Sequence, residues 1–319
     1  MKRFWFATCL LAGSLFYSAL APAQTDTGAL LQKMNSASRA LSYELYFVNV
    51  SNQGIESLRY RHTLFNRHSL AQLVQLDGPR REIVQRGNSI SYFDTGMEPF
   101  SLPGDHIVDA LPALAYADFN YLANYYNFIP VARSRIADRL CDVIRIVPRD
   151  GSRYSYVVWL DAESGLPLRA DLQGREGEVL EQYRAISLTI DQDIQTAMKS
   201  LETANLPPLL TTPRPEQTRF NWTPQWLPGG VKEVSSGRRS LPEINLAIES
   251  RMYSDGLFSF SININPTGDQ PIEQQYLRTS GRRMVHTEVR DNREITIVGE
   301  LPPITAKRIA DNIVFGEAK

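Results

Sequence analysis

The chain has 319 residues, of which 43% are apolar and 22% charged, with 19 Gly and 19 Pro. These values exclude a disordered chain, a collagen, a coiled coil and a multi-span membrane protein. Lys plus Arg total 34 against 35 Asp plus Glu, a net charge of −1, so no global basic field exists to hold nucleic acid.

Residues 1–23 read as a secretory leader. Lys2 and Arg3 form its positive end, and an apolar run extends from Phe4 to Leu20. Ala21 and Ala23 form an A-x-A cleavage site, so the expected mature terminus is Gln24. Gly13, Ser14, Tyr17 and Ser18 dilute the run below a good membrane span of roughly 20 residues. The expected location is the periplasm, with Cys141 as the one cysteine left after cleavage. One thiol cannot form an internal disulfide. Cys141 falls in an alternating apolar run and reads as a buried, inert core thiol.

Apolar residues at 30, 31, 34, 37 and 41 predict an amphipathic helix over 28–41. Strands are predicted at 43–50, 55–65, 70–76, 82–85 and 90–93, separated by the turn residues 52–54, 77–79 and 87–88. Residues 94–128 break the rhythm with Pro99, Pro103 and Pro112; one or two short helices are expected within 110–122, the whole segment serving as a cover. Strands resume at 139–147, 153–160, 168–173 and 178–190, with short connections that imply an antiparallel meander. A short helix is expected over 193–204. Prolines at 207, 208, 213 and 215 mark a stiff linker. The expected division is a large domain over 24–206, a linker over 207–216 and a small domain over 217–319. In the small domain, strands are predicted at 231–238, 247–253, 257–264, 284–290 and 294–300, followed by a helix over 302–313.

A catalytic set is not legible. His62, His68, His106 and His286 are scattered, and no HExxH, GxSxG, GxGxxG or Walker motif occurs, so no metal or cofactor is expected. Asp191 and Asp193 begin like a calcium loop, but the required Gly and Glu do not follow. A Ser-His-Asp site assembled across the fold stays open, without a local nucleophile signal. What remains is surface and cavity chemistry. Arg59, Arg61, Arg80, Arg81 and Arg86 are candidate phosphate contacts, since arginine suits bidentate anion recognition; a solvated strand face is the plainer alternative. Tyr92, Phe93, Phe100, Phe119, Tyr125, Phe128, Tyr156 and Trp159 crowd the middle of the first domain. They are candidates for an apolar, lipid-sized cavity between a curved sheet and its cover, against the alternative of an ordinary core. Arg238, Arg239, Arg282 and Arg283 are paired arginines in the second domain.

The strings ESLRYRH (56–62), DGPRREIVQRGNSISYF (77–93), IADRLCDVIRIVPRDGSRYSYVVWLD (136–161), ANLPPLL (204–210), YSDGLFSFSINI (253–264) and EITIVGELPPITAKRIADNI (294–313) closely resemble the MucB/RseB family of periplasmic regulators of the sigma-E envelope-stress pathway. The resemblance spans the whole chain, with its clearest departure in loop composition near 265–275. It implies a mainly β, α+β fold: a half-open, curved antiparallel sheet with helices on its concave side, as in the lipoprotein carriers LolA and LolB, plus a smaller mixed α+β domain. It implies no enzyme activity and no cofactor. It implies binding to the periplasmic domain of the anti-sigma factor RseA, with protection of RseA from DegS and RseP; the paired arginines Arg238, Arg239, Arg282 and Arg283, in a near-neutral module, are the candidate RseA contacts. Lipopolysaccharide or another acyl lipid is the implied releasing signal. Self-association stays open. The competing reading is a lipid or lipoprotein carrier of the LolA/LolB type, against which the additional C-terminal domain argues.

Overall fold

The computed structural model describes residues 20–210, 219–241, 246–267 and 275–316. Most of the predicted leader, residues 1–19, and linker prolines Pro213 and Pro215 lie outside the described residues.

Helix α1 (Leu20–Ala40) starts earlier than the predicted 28, so the expected cut after Ala23 falls within it. Its helical spacing buries Leu31, Met34 and Ala37 on one face. Strands β1 (Tyr43–Ser51), β2 (Gly54–Phe65), β3 (His68–Gln75), β4 (Arg81–Arg86), β5 (Ser89–Asp94) and β6 (Phe100–Pro103) follow as a meander. After a 3-10 turn at Ala113–Tyr116 and the short helix α2 (Phe119–Leu122) come β7 (Tyr126–Ile136), β8 (Arg139–Pro148), β9 (Ser155–Asp161), β10 (Pro167–Gln173) and β11 (Val179–Ile190). Helix α3 (Asp193–Glu202) closes this part.

All eleven strands form one antiparallel sheet in the order β6-β5-β4-β3-β2-β1-β11-β10-β9-β8-β7. Two meanders are joined by the long-range β1–β11 ladder, Tyr43↔Ile190 to Val50↔Gln182. β6 and β7 are consecutive in sequence yet occupy opposite edges. Their connection must therefore cross the sheet. It does so over one face, where Ile107, Leu111, Leu114, Phe119 and Leu122 are buried together with α1 against Tyr43, Leu45, Tyr60 and Leu73. Residues 104–125 are thus the cover expected of 94–128, while the ends of that segment, Phe100–Pro103 and 126–128, join the sheet as β6 and the start of β7. Helix α3 departs from the expected placement on that side: Ile194 and Met198 pack on Leu70 in a separate cluster on the other face.

The strand Tyr126–Ile136 was not expected. Pro130 argues against a central strand, but β7 is an edge strand, where a missing N–H costs no ladder bond. The ladder shifts register between Pro130 and Ala132. The β7–β8 hairpin turns through Ala137 and Asp138, both at positive φ, as the two-residue turn matching strand twist requires.

The second part contains β12 (Trp222–Pro224), β13 (Lys232–Leu241), β14 (Leu246–Ser254), β15 (Ser259–Pro266), β16 (Gln275–Ser280), β17 (Arg283–Arg290), β18 (Arg293–Gly299), helix α4 (Pro303–Asp311) and β19 (Ile313–Phe315). Six strands form an antiparallel sheet, β13-β14-β15-β18-β17-β16, and β12 pairs with β19. β16 and the two short strands add to the predicted set. Alternation buries Phe260, Ile262, Ile264, Met284, Ile295 and Ile297 on one face, where Ala306, Ile309 and Ala310 of α4 cover them.

Candidate functional site

The two sheets share a buried boundary. The turn after β14 carries Leu257 and Phe258 out of the second sheet, and both belong to the first sheet's core. Phe258 stacks on Tyr156 at 5.6 Å between ring centroids and meets Tyr154 edge-on at 6.2 Å. Tyr154 Oη donates to the Leu301 carbonyl at 2.9 Å, and Thr305 Oγ1 donates to the Ser152 carbonyl at 2.7 Å. Tyr121 Oη donates to the Gly230 carbonyl at 2.7 Å. Gly230 has φ +82°, and a Cβ there would stand 2.5 Å from the Tyr125 ring, so backbone conformation and packing both demand glycine.

Beside this boundary lies a cleft of about 400 Å³. Leu111, Leu172, Tyr156, Leu257 and Phe258 supply much of its apolar lining, and Glu56, Asp109, Glu181, Arg282, Arg283 and Glu300 its charges. Arg282 Nε lies 3.4 Å from Glu181 Oε2 of the first sheet and 3.0 Å from Glu300 Oε1 of its own part. Burial raises the Glu181 carboxyl above its ordinary range; Arg282 opposes that and Glu300 adds to it. Arg283 is exposed at the mouth. The size and mixed lining suit an amphipathic ligand. Among the described residues, no group of three or more His, Cys, Asp or Glu is placed to hold a metal ion.

Of the eight aromatic candidates, Tyr156 lines the cleft. Phe119 and Phe128 pack edge-to-face at 5.6 Å inside the core. Tyr92 stacks on Phe100 at 5.1 Å near the far edge of the sheet. Phe93 is the next residue along β5, so the pleat turns it to the opposite face. Trp159 alternates with the buried Tyr156, Val158 and Leu160 positions and carries the Arg169 guanidinium 4.3 Å over its ring. Tyr125 sits under Gly229 and Gly230 at the boundary. The aromatic cluster thus divides among core, far edge, outer face and boundary.

The five phosphate candidates do not converge either, and none lines the cleft. Arg61 pairs with Glu44. Arg81 reaches Asp109 at 2.6 Å and Asp94 at 3.6 Å. Arg86 donates to the carbonyls of Leu201, Glu202 and Ala204, capping the end of α3. Arg59 is half-buried, and Arg80, 84% exposed, pairs loosely with Glu82. In the second part, Arg238 pairs with Glu249, and the side chain of Arg239 lies outside the described residues. Arg282 and Arg283 are the two predicted arginines that reach the cleft.

Cys141 is free and fully buried, and burial pushes its thiol up to about 11. The thiolate needed for attack is therefore scarce at neutral pH. Native protein is expected to react with a bulky thiol reagent only as it unfolds, and Cys141→Ser to cost about 1–3 kcal/mol if the hydroxyl is left unpaired. Stoichiometric labelling of folded protein within minutes would overturn this.

The residues that reasoning from sequence missed are Glu181, Phe258, Arg153 and Asp255. Asp255-Gly256 does announce a turn, but the turn's partners are 100 residues away, and nothing local signals them.

Comparison with known proteins adds the whole-chain relationships. The family model of the MucB/RseB N-terminal domain matches residues 26–210, and that of the MucB/RseB C-terminal domain matches residues 216–314. The chain is 61% identical over 320 residues to the sigma-E factor regulatory protein RseB of Escherichia coli strain K12, covering 100% of both chains. It is similar to the solved complex structure of Pseudomonas aeruginosa MucA/MucB, with a TM-score of 0.73 and 25% identity over 92% of this chain and 100% of that one. A second structure, of MucB in complex with MucA(peri), matches with a TM-score of 0.72 and 27% identity over the same shares.

Proposed function

The chain belongs to the MucB/RseB family, and from that premise we propose that it restrains a sigma-E-type stress response by holding the periplasmic segment of an RseA-type anti-sigma factor. The family is one of regulatory, anti-sigma-factor-binding proteins and not of enzymes. The observation that carries the reading is the full-length relationship to RseB, together with the solved complexes in which the relative MucB holds MucA. In this reading the protein acts in the periplasm and keeps the bound segment away from DegS and RseP. The cleft between the sheets, with an apolar floor and the Arg282 and Arg283 rim, is its working surface. Lipopolysaccharide or a related acyl lipid releases the segment, its acyl part favouring the floor and its phosphates the arginines.

Calorimetric titration of the full chain with the cognate anti-sigma periplasmic segment tests this, paired with a DegS cleavage assay. Saturable binding that slows cleavage is expected, with lipopolysaccharide restoring it. Arg283→Glu should weaken release by lipid about tenfold, the value of one charged contact at a partly exposed rim. Because two ligands coupled through one protein act reciprocally, saturating segment must lower lipid affinity by the same factor that lipid lowers segment affinity. Failure of the segment to bind, or unimpeded cleavage in its complex, would refute the proposal.

A further inference from the structure

The boundary between the two sheets contains a charge pair with almost no access to water. Arg153 lies between β8 and β9, and Asp255 lies in the turn after β14; their side chains are 1% and 0% exposed. Arg153 Nη1 donates to Asp255 Oδ2 at 2.6 Å, and Tyr126 Oη donates to the same oxygen at 2.6 Å. Asp255 Oδ1 accepts from the backbone N–H groups of Leu257 and Phe258, each at 2.9 Å. The Arg153 guanidinium sits 4.8 Å over the Tyr126 ring. Its Nη2 stands 3.4 Å from Asp150 Oδ1, and Asp150 Oδ2 in turn accepts from Gly229 N at 3.1 Å. Every carboxylate oxygen of Asp255 is used, and the two charges come from different cores.

We infer that Arg153, Asp255 and Tyr126 are positioning residues that make the arrangement of the two parts two-state: closed as seen, or fully parted. Sliding or partial opening would leave a buried guanidinium and a buried carboxylate unpaired, the costliest condition for either group. Full parting lets water solvate both. Only the two end states are therefore cheap, and the cleft, whose lining comes from both parts, exists in one of them. A boundary of apolar contacts alone would weaken gradually with displacement. The partner-binding consequence rests on the function proposed above; the two-state boundary does not.

The test uses the mature chain from Gln24, which lacks Cys9, with spin labels on Lys199→Cys of α3 and Val298→Cys of β18, both exposed and outside the cleft. Cys141 is buried and stays unlabelled. One narrow distance peak is expected for the labelled parent. Arg153→Met, which strands the Asp255 carboxylate, should add a second, longer and resolved peak. Arg153→Met with Asp255→Asn removes both charges while the amide oxygen keeps the Leu257 and Phe258 bonds. This double variant should return to the single short peak, a departure from additivity that general loosening does not produce. Asp255→Asn alone gives a milder reading should Arg153→Met fold poorly. A continuous broadening in the single variants, no new peak, or a double variant worse than either single would overturn the inference. If nine-tenths of the molecules are parted, apparent partner Kd should rise about tenfold. Affinity that ignores the parted fraction would refute the assignment of binding to the cleft, while the distance data still judge the boundary.

Discussion

Phe258→Ala is expected to lower the unfolding free energy by about 3–5 kcal/mol, the range for emptying a buried aromatic site. The ring is 3% exposed, and it is buried in the first sheet's core although its chain belongs to the second sheet. It stacks on Tyr156 and touches Tyr154 edge-on, geometry that adds to the area term. The cavity has few ways to collapse, because it is bounded by Tyr154 and by Tyr156 of β9 on one side and by the Asp255-bonded turn on the other. The loss should fall on the coupling between the two parts as well as on total stability. Urea unfolding followed by tyrosine and tryptophan signals is expected to move from one coincident transition toward two. A loss under about 1 kcal/mol, the size of an ordinary surface change, would mean that the ring does not join the two cores.

Asp161→Ala is expected to cost about 2–4 kcal/mol at neutral pH. Asp161 terminates β9 with its side chain 2% exposed. Arg139 Nε and Nη2 donate to its two oxygens at 2.8 and 2.9 Å, and Ser164 N and Oγ donate at 2.8 and 2.6 Å. Truncation removes a bidentate arginine pair and leaves the 161–166 turn without its acceptor. Burial alone would raise the Asp161 pKa, but the hydrogen bonds from Arg139 and Ser164 outweigh it, and the net shift is downward. An acid with a lowered folded pKa contributes stability that is present above its unfolded pKa, about 3.9, and is lost as pH falls through the folded value. The gap between parent and variant should therefore be full at pH 7 and shrink in strong acid. Urea midpoints measured from pH 7 down to pH 2 check this; a gap that widens on acidification would contradict the assignment.

Much of the first sheet was legible because its strands alternate and their turns carry strong local signals. The β2–β3 and β3–β4 ladders follow from short connections between alternating runs. The inward face of α1 is readable from the spacing of Leu31, Met34 and Ala37. The Cys141 reading was also local, since it needed only the apolar alternation around one thiol. Tyr126–Ile136 was not legible, because Pro130 opposes a strand unless the strand is known to be an edge, and edge position is a property of the whole sheet.

The candidate site divides along the same line. Arg282 and Arg283 stood out as a charged pair, and Tyr156 as an aromatic in an alternating strand. The remaining aromatics and arginines matched them in composition but went elsewhere: pleat direction separates Tyr92 from Phe93, and local carboxylates or carbonyls engage Arg61, Arg81 and Arg86. The sequence alone determined the strand and helix periodicities, the absence of catalytic motifs and the family resemblance, all carried by neighbouring residues. The tertiary structure alone decided that 104–125 crosses between opposite sheet edges, that Phe258 serves a core not its own, and that Arg153 meets Asp255. Those facts depend on which strands pair and which turn faces which, and a residue's chemical type is the same whether its partner lies two or a hundred positions away.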